Sequence, residues 1–296
     1  MSTLNSLLNI LELEKTDERT FVGKSFKSLF PRVFGGQVIA QALTAATQTI
    51  DADKTAHSLH AYFLLGGDPQ KPIRYVVKPV RDGKSFSMRM VEAMQDNEII
   101  FSTMISFQKP ETGLEHQFEM PKVPSPEEAK INLQAKQDDF SNMQRMLNNP
   151  WPVEVVPCEP MFISSRENKG ERVKLPPYQH TWIRVQETLP TEEALHKAAL
   201  AFISDLSLMM IATKPHGASP LHGDIVGASL DHAIWFQRPF NANEWLLYAM
   251  ESPSAFHATG LNRGHFFNQK GELVAATFQE SLIRPTPKFM AQRVSP

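Results

Sequence analysis

Two periodicities share this chain, and their order is repeated. Val38-Ile39-Ala40-Gln41-Ala42-Leu43-Thr44-Ala45-Ala46 is apolar around most of a helical circumference and crowded with good helix formers, which predicts a helix buried on all sides. Gly35 and Gly36 precede it and permit a tight turn at its start. Segments rich in β-branched, aromatic and other apolar residues follow, and predict strands over 58–64, 73–80, 86–94 and 99–108. Gln95-Asp96-Asn97 is the turn that folds the last two into a hairpin. One buried helix followed by a run of antiparallel strands is an α+β pattern, unlike the strand–helix alternation of a parallel sheet.

From Lys109 to about Pro177 the pattern dissolves. Prolines at 110, 121, 124, 126, 150, 152, 157, 160, 176 and 177 exclude a continuous sheet, and the stretch reads as an ordered connector. Within it Ser125-Pro126-Glu127-Glu128 is a capping box with proline at the first helical position, predicting a polar helix to about Asn149. Beyond the connector the first pattern returns. A helix is predicted over 195–211, His60-Ala61 recurs as His232-Ala233, and Arg89, Gln95 and Thr103 recur as Arg263, Gln269 and Thr277 at a constant offset of 174. Shared order at near-equal offsets points to internal duplication. The expected organisation is a first unit over 1–110, a connector over 111–177 and a second unit over 178–296. A helix wrapped by an antiparallel sheet, present twice in one chain, resembles the double hotdog architecture.

Composition narrows the function classes. The 296 residues are 42% hydrophobic, enough for a sizeable core, and the net charge of -2 lacks the basic excess of a nucleic-acid binder. A single cysteine, Cys158, allows neither an intrachain disulfide nor a cysteine zinc site. The N-terminus does not look like a signal peptide, the apolar run 198–211 is too short to span a bilayer, and the end Arg293-Val294-Ser295-Pro296 is no peroxisomal address. Expectation falls on a cytoplasmic protein without a membrane or nucleic-acid partner.

Candidate chemistry concentrates in the second half. Asp205 sits in the apolar run 198–211, where burial would lift its pKa toward the range of a general base; the ordinary alternatives are a helix-terminal carboxylate bonded to backbone amides and an exposed residue on a narrow polar stripe with Ser204. Ser229, with Asp231 and His232, invites a nucleophile reading. The G-x-S-x-G elbow is absent, however, and strand alternation sends His232 to the opposite face from Ser229. Gln279, in the strand-like Leu273–Glu280, is either an exposed strand residue or an uncharged group that orients a water. His57 and His60 would lie on opposite strand faces, wrong for a shared metal, and no glycine-rich phosphate loop occurs, so no cofactor is expected.

The stretches 33–43, 57–64, 81–87, 204–206, 229–240 and 243–248, among them Val33-Phe34-Gly35-Gly36-Gln37 and Ser229-Leu230-Asp231-His232-Ala233, resemble the acyl-CoA thioesterase II family in order and over nearly the whole chain. The resemblance implies a double hotdog hydrolase that cleaves fatty acyl-CoA to free acid and CoA. It also implies a catalytic set of Asp205, Ser229 and Gln279 holding one water, with the pantetheine and acyl chain in an apolar tunnel between the halves. Arg238, Arg263 and Lys84 are the candidate contacts for the CoA phosphates. One departure stands out: Leu64-Leu65-Gly66-Gly67-Asp68 replaces the family's Leu-Arg-Pro-Gly-Asp, which changes that loop. Two rivals remain: a hydratase or dehydratase acting on enoyl-CoA through His60 or His232, and a non-catalytic acyl-CoA-binding protein. Association of copies through sheet edges or faces is also expected.

Overall fold

The computed structural model describes residues 6–25, 31–134, 152–160 and 173–294. The first half places α1 (Leu7–Leu11), β1 (Leu13–Asp17) and β2 (Thr20–Gly23) before the buried helix α2 (Gly35–Thr47), then β3 (Thr55–Phe63), β4 (Ile73–Asp82), β5 (Phe86–Gln95) and β6 (Glu98–Gln108). The connector holds α3 (Pro126–Gln134) and β7 (Val153–Pro157). The second half has β8 (Tyr178–Val185), α4 (Glu193–Ser204), a 3-10 stretch Leu208–His216, β9 (Ile225–Ser229), β10 (Asp231–Phe236), β11 (Leu246–Phe256), β12 (Thr259–Asn268), β13 (Leu273–Pro285) and α5 (Pro287–Val294).

Among the described residues all strands join one antiparallel sheet, in the order β1-β2-β4-β5-β6-β3-β10-β13-β12-β11-β8-β7, with β9 pairing β13. The order is palindromic about the β3–β10 seam, since β3, β6, β5 and β4 face β10, β13, β12 and β11 as counterparts. At the seam the repeated His-Ala pairs lie across from each other, His60 opposite Ala233 and Ala61 opposite His232. That is the relation two duplicated units adopt about a local two-fold axis, and the chain is an α+β double hotdog.

Inside the curved sheet α2 and α4 pack together. Every α2 residue from Gly36 to Leu43 is buried, as the all-round apolar pattern requires. Phe34 stacks edge-on against Phe202 at 5.1 Å. Gly36 is needed here for proximity: a Cβ on it would lie 2.3 Å from the carbonyl oxygen of Phe202. Neither Gly35 nor Gly36 has positive φ, so the glycine pair admits a neighbouring helix instead of making the tight turn expected.

Three further differences from the sequence expectation have local causes. The second helix ends at Ser204 and does not run to Ile211, because Ser207 takes a left-handed φ of 68° and the chain continues as 3-10 turns. Glu193–His216 has the length and hydropathy of a membrane span, but it is these two elements in succession and mostly buried. Third, the proline-rich connector supplies the sheet's edge strand β7, with Pro152 just before it and Pro157 at its end, positions where a missing N–H is tolerated. The capping box forms reciprocally, Glu128 N–H donating to Ser125 Oγ at 3.2 Å and Ser125 N–H to Glu128 Oε2 at 2.8 Å. The expected helix beyond Gln134 lies outside the described residues.

Candidate active site

Three chain segments that are far apart in sequence meet at the end of α4. Asp205 is its C-cap, Ser229 is the last residue of β9, and Gln279 stands midway along β13. Gln279 Nε2 donates to Asp205 Oδ1 at 2.6 Å and to Ser229 Oγ at 3.0 Å, and Ser229 Oγ donates to Asp205 Oδ1 across 3.4 Å. The other carboxylate oxygen, Oδ2, accepts the Gly36 N–H at 2.9 Å. Helix α2 has no side-chain cap of its own, so a carboxylate from the second half satisfies a free amide at the N-terminus of the first half's helix. Gly35 makes the approach possible, since a Cβ there would sit 2.6 Å from Oδ2.

The electrostatics of Asp205 follow from competition. Burial lifts its carboxyl from 3.8 to about 6, while the donors on Gln279, Gly36 and Ser229 pull it back. Desolvation wins. The outcome is a carboxylate mostly ionised at neutral pH yet far more basic than an exposed aspartate.

Asp205 and Ser229 face a cavity of about 620 Å³ between the halves. Phe34, Val38, Phe63 and Phe101 come to its wall from the first half, and Leu206, Met209 and Met210 from the second. The rim is exposed at Arg32, Leu64, Leu65 and Gly66, whereas the lining at Met209, Met210 and Gly227 is buried or half-buried. Gln279 is not on the wall. It is fully buried behind the pair, with its Oε1 unpartnered.

The serine–histidine alternative finds no geometry. His232 Nε2 bonds Ser204 Oγ at 2.9 Å, and that hydroxyl donates to the Ala201 carbonyl, so the Nε2 carries the proton. Burial holds His232 neutral, its pKa pushed down to about 3. Tyr248 donates to the Ser204 carbonyl at 2.7 Å. Together His232 and Tyr248 fix the helix end that carries Asp205, a supporting role that sequence spacing did not reveal. Asp231 accepts the Glu280 N–H at 2.6 Å where the chain passes from β9 to β10. His57 bonds Ser106 at 2.8 Å, and His60 meets Trp235 edge-on at 5.0 Å.

The basic residues named as candidates for a ligand's phosphates stand outside the cavity lining. Arg263 pairs with Glu251 at 2.5 Å, Arg238 bonds the Leu273 carbonyl, and Lys84 sits exposed in the β4–β5 turn. None lines the cavity; Arg32, not anticipated, does.

A family model described as acyl-CoA thioesterase matches residues 147–282, and one described as acyl-CoA thioesterase N-terminal domain matches residues 26–108. Acyl-CoA thioesterase 2 of Haemophilus influenzae is 40% identical over 95% of this chain and 98% of its own length. The chain belongs to the acyl-CoA thioesterase family. The crystal structure of an acyl-CoA thioesterase II from Mycobacterium marinum, 36% identical, covers 96% of this chain and 100% of its own, with a TM-score of 0.77. A protein of hot dog fold from Alicyclobacillus acidocaldarius, 18% identical, aligns over 95% of this chain and 98% of its own with a TM-score of 0.73, a likeness of fold alone. Thioesterases are thioester hydrolases, and the two family matches take in α2 to β6 and β7 to all but the last residues of β13.

Proposed function

We propose that this protein hydrolyses fatty acyl-CoA to free acid and CoA by direct attack of a water on the thioester carbonyl. Asp205 is the general base. Its Oδ1 is committed to Gln279 and Ser229 and its Oδ2 to Gly36, which leaves an Oδ2 lone pair for a water's proton. The water lies against Asp205 and Ser229 on the cavity wall. Gln279 shares in this from behind: its amide holds both partners in place, so it positions the base and need not touch the water. As the water attacks, its proton passes to Asp205 and the carbonyl becomes a tetrahedral oxyanion. Collapse then breaks the carbon–sulfur bond and expels a thiolate, which leaves without a strong acid.

The observation that carries this reading is one carboxylate, with its pKa raised to about 6, on the wall of a largely apolar cavity and adjoining a serine hydroxyl. The neutral, enclosed His232 argues against a hydratase, which needs an imidazole that reaches its ligand. In orientation, the polar CoA leaves through the exposed rim at Arg32, and the acyl chain points to the less exposed lining at Met209 and Met210.

Purified protein given palmitoyl-CoA with a thiol reagent is expected to release CoA thiol continuously, and to leave the absorbance of crotonyl-CoA's conjugated double bond unchanged. Hydration of crotonyl-CoA without thiol release would replace the thioesterase reading with a hydratase. Saturable binding without either reaction would make the protein a carrier.

A further inference from the structure

The reacting carbonyl is held at Asp205 and Ser229, so the room left by the rest of the lining limits the acyl chain that fits. On the less exposed part of that lining Met209 lies over Gly227. An ideal Cβ on Gly227 would come within 2.9 Å of both the Sδ and the Cε of Met209, the far end of a flexible side chain. Gly227 has no positive φ, so its backbone does not demand glycine. What the missing side chain supplies is room for the thioether to lie flat against β9. Behind Met209 is an apolar cluster of Ala212, Ala218, Ile225, Ile283 and Phe289, against which it packs. The methionine thus stands between the cavity lining and further apolar volume.

The shelf that carries it is anchored. Met209 belongs to the 3-10 stretch Leu208–His216, bounded by left-handed residues at Ser207 (φ 68°) and Gly217 (φ 60°). Asn262, fully buried on β12, accepts the Ala212 N–H at 3.1 Å. The backbone is held while the side chain, unbranched and with three rotatable bonds, can yield.

Resting on the thioesterase reading above, we propose that Met209 gauges acyl-chain length, and that Gly227 holds the gauge open by letting the thioether retract. The two positions then act with opposite sign. Met209→Ala removes three heavy atoms beyond Cβ and admits about three more methylenes, each burying apolar surface equivalent to about fourfold in kcat/KM. Gly227→Ala pushes the thioether into the cavity and shortens the longest chain accepted by one or two carbons. In the double variant the added Cβ meets no thioether, so its profile follows Met209→Ala.

The test is kcat/KM for thiol release across a series of saturated acyl-CoA esters from four to twenty carbons, with thermal melting to establish folding. A longer optimum in Met209→Ala and a shorter one in Gly227→Ala is the expected result, and if only one variant folds its shift decides. Folded variants that keep the wild-type profile, or a folded Met209→Ala that releases no thiol at any length, overturn the gauge while the wild type's thiol release upholds the hydrolase. A wild type inactive at every length overturns the hydrolase reading, and the gauge with it.

Discussion

Replacing Asp205 by asparagine separates the cost of the carboxylate from its use. Burial raises the carboxyl from 3.8 to about 6. At about 1.4 kcal/mol per pKa unit, a shift of about two units amounts to about 3 kcal/mol of destabilisation when the group is ionised. Because the folded pKa lies above the unfolded one, the folded state binds its proton more tightly. The penalty is absent below pH 3.8, develops between 3.8 and about 6, and is complete at pH 7. Asparagine removes it but faces three donors, Gly36 N–H, Gln279 Nε2 and the Ser229 hydroxyl, with a single acceptor oxygen. One hydrogen bond lost in that exchange returns about 1–1.5 kcal/mol, leaving a net gain of about 1.5–2 kcal/mol. Asp205→Asn should therefore melt a few degrees above wild type at pH 7, with the gap closing toward pH 4. Thiol release should fall by about 10²–10⁴. Near-normal turnover, or a melting point below wild type at pH 7, would refute the account of a buried ionised base.

Other consequences follow from the same geometry. In wild type, kcat/KM should rise with pH through an apparent pKa near 6 and level off above it, since the base works ionised; a limb near pH 4 would place the base elsewhere. Gly35→Ala brings a Cβ to 2.6 Å from Asp205 Oδ2 and should cut kcat at least about tenfold in a protein that still folds, read by thiol release beside circular dichroism. Arg32→Ala, at the exposed rim, should raise KM for palmitoyl-CoA several-fold at low salt with kcat held, and the difference should shrink as ionic strength rises. Equal KM values for variant and wild type at every salt concentration would remove Arg32 from the ligand's path.

The buried α2 was legible because the Val38–Ala46 run is apolar all round, and a helix of that kind can only be central. The β5–β6 hairpin was legible from Asp96, which takes a φ of 52° in the turn. The end of α4 was not. Residues 198–211 keep a helical composition, and only the tertiary fit around Asp205, with His232 and Tyr248 gripping Ser204, sets the stop. The edge strand β7 was hidden because its flanking prolines read as breakers, although a sheet edge accommodates them. Asp205, Ser229 and Gln279 could be singled out one at a time by residue type and setting. Their meeting depends on β9 and β10 both pairing with β13, a long-range register that one sequence does not display. Arg32 was missed for a related reason: a lone charge between Pro31 and Val33 carries no signal until the fold sets it at a cavity rim.

Direct attack by water is the central claim, and a single turnover in oxygen-18 water tests it most closely. With enzyme in excess over palmitoyl-CoA, the first acid formed should carry one solvent oxygen, and the quenched protein should show neither an acyl adduct nor heavy oxygen in the peptide bearing Asp205. An acyl group trapped on Ser229 or Asp205, or a first-turnover acid whose new oxygen comes from the protein, would contradict it.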